Sequence, residues 1–112
     1  MARGVRPHHL KTEVSYAHLI RPEAESDMED GFQWYEERQD GLGFEFLGQI
    51  KTVLEKITEN PLRHPETYRS ARRSLVRRFL FATIYIFEFS KVEVIAVAHV
   101  KRDPGFWQRR VR

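Results

Sequence analysis

The chain contains no cysteine among its 112 residues. This absence excludes disulfide bonds, thiolate nucleophiles and zinc sites built on cysteine. Long apolar runs are also missing, because no stretch approaches the roughly eighteen residues that a membrane-spanning helix needs. His8, His9 and Lys11 stand where a signal peptide would carry its apolar segment. We therefore expect a cytoplasmic protein that does not enter the membrane.

Aromatic residues are plentiful by contrast, with eight Phe, four Tyr and two Trp. They suffice for one packed core, and the length leaves no room for a second domain. Charge is unevenly spread: residues 1–60 hold seven Lys and Arg against twelve Asp and Glu, whereas residues 61–112 hold twelve against four. The formal net charge is therefore −5 for residues 1–60 and +8 for residues 61–112. The basic half suits an anionic partner, or it is simply a solvated face.

Residues 1–16 mix basic, glycine and proline residues without periodicity, and we interpret them as a flexible N-terminal extension. The adjacent His8 and His9 lack the spacing of a metal site. Residues 17–112 form the single predicted domain. It begins with a short apolar strand over residues 17–20, which ends before Pro22 because proline cannot donate to a sheet.

Two helices are predicted next. Pro22 suits a first helical position, and Glu23 and Glu25 lie near the positive end of the helix dipole. The apolar positions of this helix are Ala24, Met28, Phe32 and Tyr35. After a glycine-containing reversal, a second helix has its apolar positions at Leu47, Ile50, Val53, Leu54 and Ile57. The short connection predicts an antiparallel pair of helices.

The remaining pattern is that of strands, over residues 72–76, 79–89 and 92–100, with Ser90 and Lys91 as the turn of the last hairpin. The predicted fold class is α+β, in the order β-α-α-β-β-β: an N-terminal strand and a two-helix antiparallel hairpin packed on a small antiparallel sheet. Both sheet faces are apolar, but two helices can cover only one. We expect a protein partner on the other, the alternative being the chain's own loops and N-terminal segment.

Several phrases in this order resemble the ParE/RelE toxin superfamily, and more closely its ParE branch. The resemblance runs from about residue 17 to residue 110. The phrases that carry it are RPEAE at 21–25, WYEE at 34–37, GLGFEF at 41–46, ITENP at 57–61, RRFLF at 77–81, and AVAHVKRDP at 96–104 followed by Trp107. Each phrase alone is weak, whereas the whole series at the right separations makes chance similarity improbable.

The resemblance implies a RelE/ParE-like fold and a toxin of a type II toxin–antitoxin system. Such a toxin forms a hetero-oligomer with a cognate, ParD-like antitoxin, whose C-terminal segment wraps around it. Antitoxin binding is expected at an aromatic set, namely Trp34, Tyr35, Phe81, Tyr85 and Phe87.

Toxins with this fold act on one of two different targets. ParE-like members inhibit DNA gyrase, and the ParE-like phrases favour this target, so the chain is expected not to be an enzyme. RelE-like members instead cleave mRNA on the ribosome, which needs a proton donor and acceptor and cations for the phosphate. In that alternative the catalytic residues would be His99, Arg78 and Tyr85. A third alternative is a protein that binds its antitoxin and has lost toxicity.

The resemblance places target binding at basic residues near the end of the sheet, namely Arg77, Arg78, His99, Lys101 and Arg102. His99 alternates with Ile95 and Val97 on one face of the last strand, and a structural role hydrogen-bonded to backbone is an equal interpretation. Trp107 follows a turn signal and is expected to anchor the C-terminal segment. No metal or cofactor is expected, because the histidines are scattered and no glycine-rich phosphate loop precedes a helix.

Overall fold

The computed structural model describes residues 15–111, so most of the predicted extension, residues 1–14, and Arg112 lie outside the described residues. The elements are β1 Ala17–Ile20, α1 Pro22–Arg38, α2 Leu42–Glu59, β2 Glu66–Tyr68, β3 Ala71–Val76, β4 Phe81–Glu88, β5 Lys91–His99 and α3 Gly105–Gln108. The predicted α+β class and the order of the main elements are confirmed. The short β2 and α3 were not predicted.

The helices form the predicted hairpin, and Glu36 fixes its reversal. Its carboxylate accepts hydrogen bonds from the backbone N–H groups of Gly41, at 2.8 Å, and Gly43, at 2.9 Å. Gly41 has a φ of 88°, which glycine adopts without strain. A Cβ on Gly43 would stand 2.7 Å from the carbonyl oxygen of Phe32, so glycine there allows the two helices to approach.

The five strands form one sheet in the order β1-β5-β4-β3-β2. The strands β2 to β5 pair antiparallel with their neighbours, but β1 runs parallel to β5, from Ala17 opposite Lys91 to Ile20 opposite Val94. The sheet is therefore mixed, and the prediction of an antiparallel sheet is corrected for β1. The apolar pattern of a strand is the same in either direction, so the sequence carried no signal for this orientation.

The sheet separates two apolar cores. On one face, the helices α1 and α2 cover the strand residues Val76, Tyr85, Val92, Val94 and Val97. Phe46 and Ile57 of α2 belong to the same core. On the other face lies a second cluster around Trp107, whose further members are Ala71, Ala82, Ile84, Ile86, Ile95, Ala96, Ala98 and Val111. The expected partner-covered face is thus largely covered by the chain's own C-terminal segment. Trp107, only 7% exposed, anchors that segment as predicted.

Two strand boundaries differ from the prediction. Residues Arg77–Phe79 form a 3-10 turn, so β4 begins at Phe81. The hairpin turn consists of Phe89 and Ser90, with φ of 53° and 58°, and Lys91 already pairs with Glu88. Positive φ at both central residues is the geometry of the tight hairpin turn, which the sequence concealed because glycine or asparagine usually marks it.

A bulge in β5 changes which residues share a face. Ile84 pairs with Ala96 and Tyr85 with Val94, so Ile95 is the extra residue. Ile95 therefore belongs to the second core, whereas Val97 belongs to the core under the helices. The predicted common face for Ile95, Val97 and His99 is wrong, because regular alternation stops at the bulge.

The start of the described chain is tied to the end of α2, since the backbone N–H of Tyr16 donates to the carbonyl oxygen of Thr58 at 2.9 Å. No helix within residues 15–111 is long and apolar enough to cross a membrane.

Candidate partner-binding groove

A groove of about 340 Å³ lies between α1 and the outer edge of β5. It exists because β1 is short: β1 pairs with β5 only as far as Val94, and in the described part of the chain no strand follows it beside Ile95–His99. Helix α1 contributes Asp30, Trp34 and Tyr35, and the sheet contributes Phe81 and His99. The groove is therefore an unpaired strand edge with an aromatic wall, which is formed by Trp34, Tyr35 and Phe81.

Asp27 and Arg110 close one end of this edge. The Oδ2 atom of Asp27 accepts from the backbone N–H of Val97 at 3.0 Å and from Nη1 of Arg110 at 2.8 Å. The same Nη1 donates to the carbonyl oxygen of Ile95 at 2.9 Å. Asp27 and Arg110 thus bond the N–H of Val97 and the carbonyl oxygen of Ile95, which a neighbouring strand would otherwise bond. Both backbone groups lie at the bulge or just after it. The part of the edge toward His99 stays open.

The aromatic wall is oriented by contacts with its own helix and with the loop before β4. Trp34 is 51% exposed, and the guanidinium of Arg38 lies 3.4 Å from its ring centroid. The Tyr35 hydroxyl donates to the carbonyl oxygen of Phe79 at 2.9 Å. Burial raises the pKa of Tyr35 above its ordinary value, so this hydroxyl stays protonated and remains a donor. The wall is preorganised and partly exposed.

The other end of the groove is basic. The His99 ring lies edge-on to Phe81, with centroids 5.3 Å apart, and its Nδ1 accepts from the backbone N–H of Lys101 at 3.1 Å. In the neutral ring Nε2 therefore carries the proton and is free to act as a donor. The Arg102 guanidinium lies 3.6 Å from the ring centroid of Phe106, which also lines the groove. An anionic group on a ligand would be stabilised here.

The groove unites residues that the sequence analysis had divided between two sets. Trp34, Tyr35 and Phe81 come from the expected antitoxin-binding set, and His99 and Arg102 from the expected target-binding set. Phe87 lies elsewhere, in the core under the helices, where its ring contacts Tyr16 at a centroid distance of 4.9 Å. Arg77 and Lys101 are exposed but do not line the groove.

Tyr85 is fully buried in the core beneath the helices, and its hydroxyl donates to the carbonyl oxygen of Pro61 at 2.6 Å. Burial raises its pKa, an effect that the charge of Arg72 partly opposes. Tyr85 therefore cannot serve as a surface contact or as a catalytic acid. Both faces of its strand are apolar, so the sequence did not indicate that α2 and the following turn would cover the face that carries Tyr85.

Arg78 forms an ion pair with α2. Its Nη1 lies 2.7 Å from Oε1 of Glu45 on α2, with both side chains about half exposed. The predicted catalytic set of His99, Arg78 and Tyr85 is thus not assembled at one surface. No group of three or more His, Asp or Glu residues within residues 15–111 is placed to hold a metal ion.

Sequence reasoning missed Asp27, Arg110 and Phe106. Asp27 offered one usable signal, since it lies three residues after Ala24 and four before Gly31, on the buried side of α1. A carboxylate at such a position requires a cation or N–H donors. Its partner Arg110 is 83 residues away in sequence, so nothing local identified it.

Comparisons with known proteins bear on the fold. No protein-family model matches the chain, and no curated protein sequence is similar enough to count as a match. A chain of the solved structure described as the chromosomal ParDE TA system from P. aeruginosa is similar to it, with a TM-score of 0.59 and 11% sequence identity. The match covers 78% of this chain and 98% of that one. The chain therefore has a ParE/RelE-like fold, which confirms the fold predicted from the sequence resemblance.

Proposed function

We propose that the chain is the toxin of a type II toxin–antitoxin system and that a ParD-like antitoxin neutralises it by occupying the groove. The observation that carries this proposal is the unpaired edge of β5 next to the half-exposed ring of Trp34. An extended segment can pair with a free edge through its backbone while its apolar side chains cover an aromatic wall. The similar solved structure is itself a ParDE toxin–antitoxin system.

The groove also defines the chemistry of the antitoxin segment. Trp34, Tyr35 and Phe81 favour apolar side chains, whose burial contributes about 25 cal/mol per Å² of area removed from water. His99 and Arg102 at the basic end favour a carboxylate. We therefore expect an antitoxin segment with apolar residues followed or preceded by Asp or Glu.

DNA gyrase is the proposed target, with the complex of gyrase and cleaved DNA as the inhibited state. The resemblance of residues 17–110 to the ParE branch favours it. Ribosome-dependent mRNA cleavage has less support, because Tyr85 is buried and Arg78 is paired on the helical side.

Antitoxin binding is tested by calorimetric titration with a ParD-like antitoxin, sought first among small proteins encoded next to this chain. Trp34→Ala is expected to weaken binding at least about tenfold, since aromatic anchors dominate interfaces of this kind. Phe44→Ala is the matched control, because Phe44 is an aromatic residue of α2 that is 65% exposed and lies outside the groove. Equal effects of the two substitutions would exclude the groove as the binding site.

The target is tested with purified gyrase and relaxed plasmid. We expect the chain to inhibit supercoiling and to increase cleaved DNA, and the antitoxin to reverse both effects. Unaffected gyrase together with cleavage of ribosome-bound mRNA would instead establish the RNA-cleaving alternative.

A further inference from the structure

The sheet face opposite the helices carries exposed aliphatic side chains beside the C-terminal segment. Leu75 lies opposite Ala82, a member of the second core, so Leu75 faces that side and is 50% exposed. At the same end of the sheet, the backbone N–H of Val100 donates to the carbonyl oxygen of Leu80 at 2.9 Å. Leu80 is 55% exposed and Val100 38%. Trp107 and its neighbours leave this end uncovered.

Two arginines adjoin these side chains. Arg73 lies opposite Ile84 of the second core, which places it on the same face as Leu75. Arg73, Arg102 and Val100 line one recess of about 140 Å³, with Trp107 at its wall. We call the set Leu75, Leu80, Val100, Arg73 and Arg102 the second-face patch. It is an apolar surface with cations at its border.

Leu80 is in a strained conformation. It has a φ of 56° and a ψ of 33°, the left-handed region that glycine and asparagine adopt at low cost and leucine does not. Half of its side chain is nevertheless in water, so the strain is not offset by full burial. Residues kept in such conformations concentrate at active sites, ligand clamps and switch regions.

We propose that the second-face patch binds an acidic protein segment that carries apolar side chains, at a surface that adjoins the antitoxin groove. This binding goes beyond the proposed function and does not depend on it. The patch lies across the sheet from α1 and α2, and the recess beside it meets the groove at Ala98, His99 and Arg102. Trp34 and Tyr35 line only the groove, whereas Arg73 and Val100 line only the recess, so the two surfaces are adjacent and distinguishable by substitution.

The aliphatic residues decide between this partner and others. Nucleic acid would use the arginines, but its phosphates would gain nothing from three exposed aliphatic side chains and would lose hydration against them. A second copy would have to place its acidic first half on the patch. That contact joins unlike surfaces, so it would propagate along a chain of molecules and would not close as a dimer.

The test measures fluorescence anisotropy of the full chain with a labelled synthetic helical peptide of leucine and glutamate, with the leucines three and four residues apart. Two matched peptides replace its leucines by serine or its glutamates by lysine, and a twenty-nucleotide oligo-dT is the nucleic-acid probe. We expect only the leucine–glutamate peptide to bind measurably, and added salt to weaken its binding.

Leu75→Ser and Arg73→Gln are each expected to weaken this binding by about tenfold, because the first removes an apolar contact of the patch and the second removes a cation at its border. Leu62→Ser and Arg63→Gln are the matched controls, since these exposed residues lie on the 3-10 turn after α2 and outside the patch. They are expected to change binding less than about twofold.

Leu80→Asn keeps the proposal testable even if another variant fails to fold. Asparagine tolerates the left-handed conformation, so this substitution is expected to raise the thermal midpoint while it weakens peptide binding by about tenfold. Trp34→Ala is expected to leave peptide binding unchanged, which separates this result from the outcome of the antitoxin experiment.

Three outcomes would overturn the proposal. One is tighter binding of oligo-dT than of the peptide. Another concerns the molar mass of the protein measured by light scattering. A mass that increases with protein concentration, but equals that of one chain in Leu80→Asn, would identify a second copy as the occupant. The last is loss of peptide binding in Trp34→Ala, or equal losses in the Leu62 and Leu75 variants.

Discussion

Thr83 carries a buried hydroxyl without a hydrogen-bond partner among the described residues, and its side chain is 1% exposed. It lies on β4 between Ser74 and Val97, on the face that the helices cover. Hydroxyl burial of this kind costs free energy, because water no longer bonds to the oxygen and nothing replaces it.

Thr83→Val is therefore expected to raise the free energy of unfolding by about 1 kcal/mol. Valine keeps the branched shape and favours a strand. Urea unfolding followed by circular dichroism measures the change. Thr67→Val is the control, since Thr67 lies exposed on β2, and its effect is expected near zero. A loss of stability in Thr83→Val would mean that the hydroxyl has a partner in solution.

His64 makes stability depend on pH. Desolvation lowers its pKa in the folded protein, and the nearby charge of Arg63 lowers it further. The unfolded chain then binds more protons than the folded one between the lowered pKa and about pH 6.5, so the contribution of His64 is present at neutral pH and is lost as the pH falls from the ordinary pKa to the lowered one.

His64→Gln is therefore expected to reduce the fall in thermal midpoint between pH 7 and pH 5, because glutamine does not titrate. Thermal unfolding of both proteins at several pH values tests this. His18→Gln provides the comparison at an exposed histidine of β1, and an equal reduction there would refute the assignment to His64.

The C-terminal element is held by charged groups as well as by Trp107. The Arg110 guanidinium bonds Asp27, and its backbone carbonyl oxygen accepts from Nη1 of Arg21 at 2.9 Å. Arg21 in turn pairs with Glu93 through an Nε–Oε2 contact of 2.6 Å. The side chain of Asp27 is 8% exposed, so the arginine supplies the ionic partner that water cannot provide there.

Arg110→Met is expected to destabilise the protein by about 3–5 kcal/mol, since it leaves the Asp27 carboxylate buried without its cation. Amide hydrogen exchange should show the largest loss of protection within residues 105–111. Arg109→Met, at the exposed neighbouring position, is expected to have little effect. Asp27→Asn combined with Arg110→Met should recover part of the loss, and failure to recover any would contradict the buried-charge explanation.

At the scale of the molecule, the two cores share their strands. β4 supplies Tyr85 to the core under the helices and Ile84 to the core around Trp107, and β5 supplies Val94 and Ile95 in the same way. Neither core can lose its strands without disrupting the other. The chain is therefore expected to unfold as one cooperative unit.

The two tryptophans report on opposite sides of the sheet, which makes this expectation measurable. In Trp34→Phe the fluorescence comes from Trp107 in the second core, and its guanidinium midpoint is expected to coincide with that of far-ultraviolet circular dichroism. An earlier midpoint for Trp107 would show that the C-terminal segment detaches before global unfolding.

Local patterns predicted the elements well because their causes are local. Proline at the start of α1, the glycine-containing reversal and the apolar period of α2 located both helices, which span Pro22–Arg38 and Leu42–Glu59. The groove was predicted less completely. Trp34 and His99 were named from the resemblance, but Asp27 and Arg110 were not, because their pairing joins residues far apart in sequence.

The sequence by itself determined which segments are helices or strands, since capping residues and apolar periods act over a few residues. Only the tertiary structure decided that β1 pairs parallel to half of β5, that a bulge turns Ile95 away from the helices, and that residues 105–111 cover the second sheet face. These features depend on contacts between distant segments, which no local pattern encodes. The open groove follows from them, because it is the length of β5 that β1 leaves unpaired.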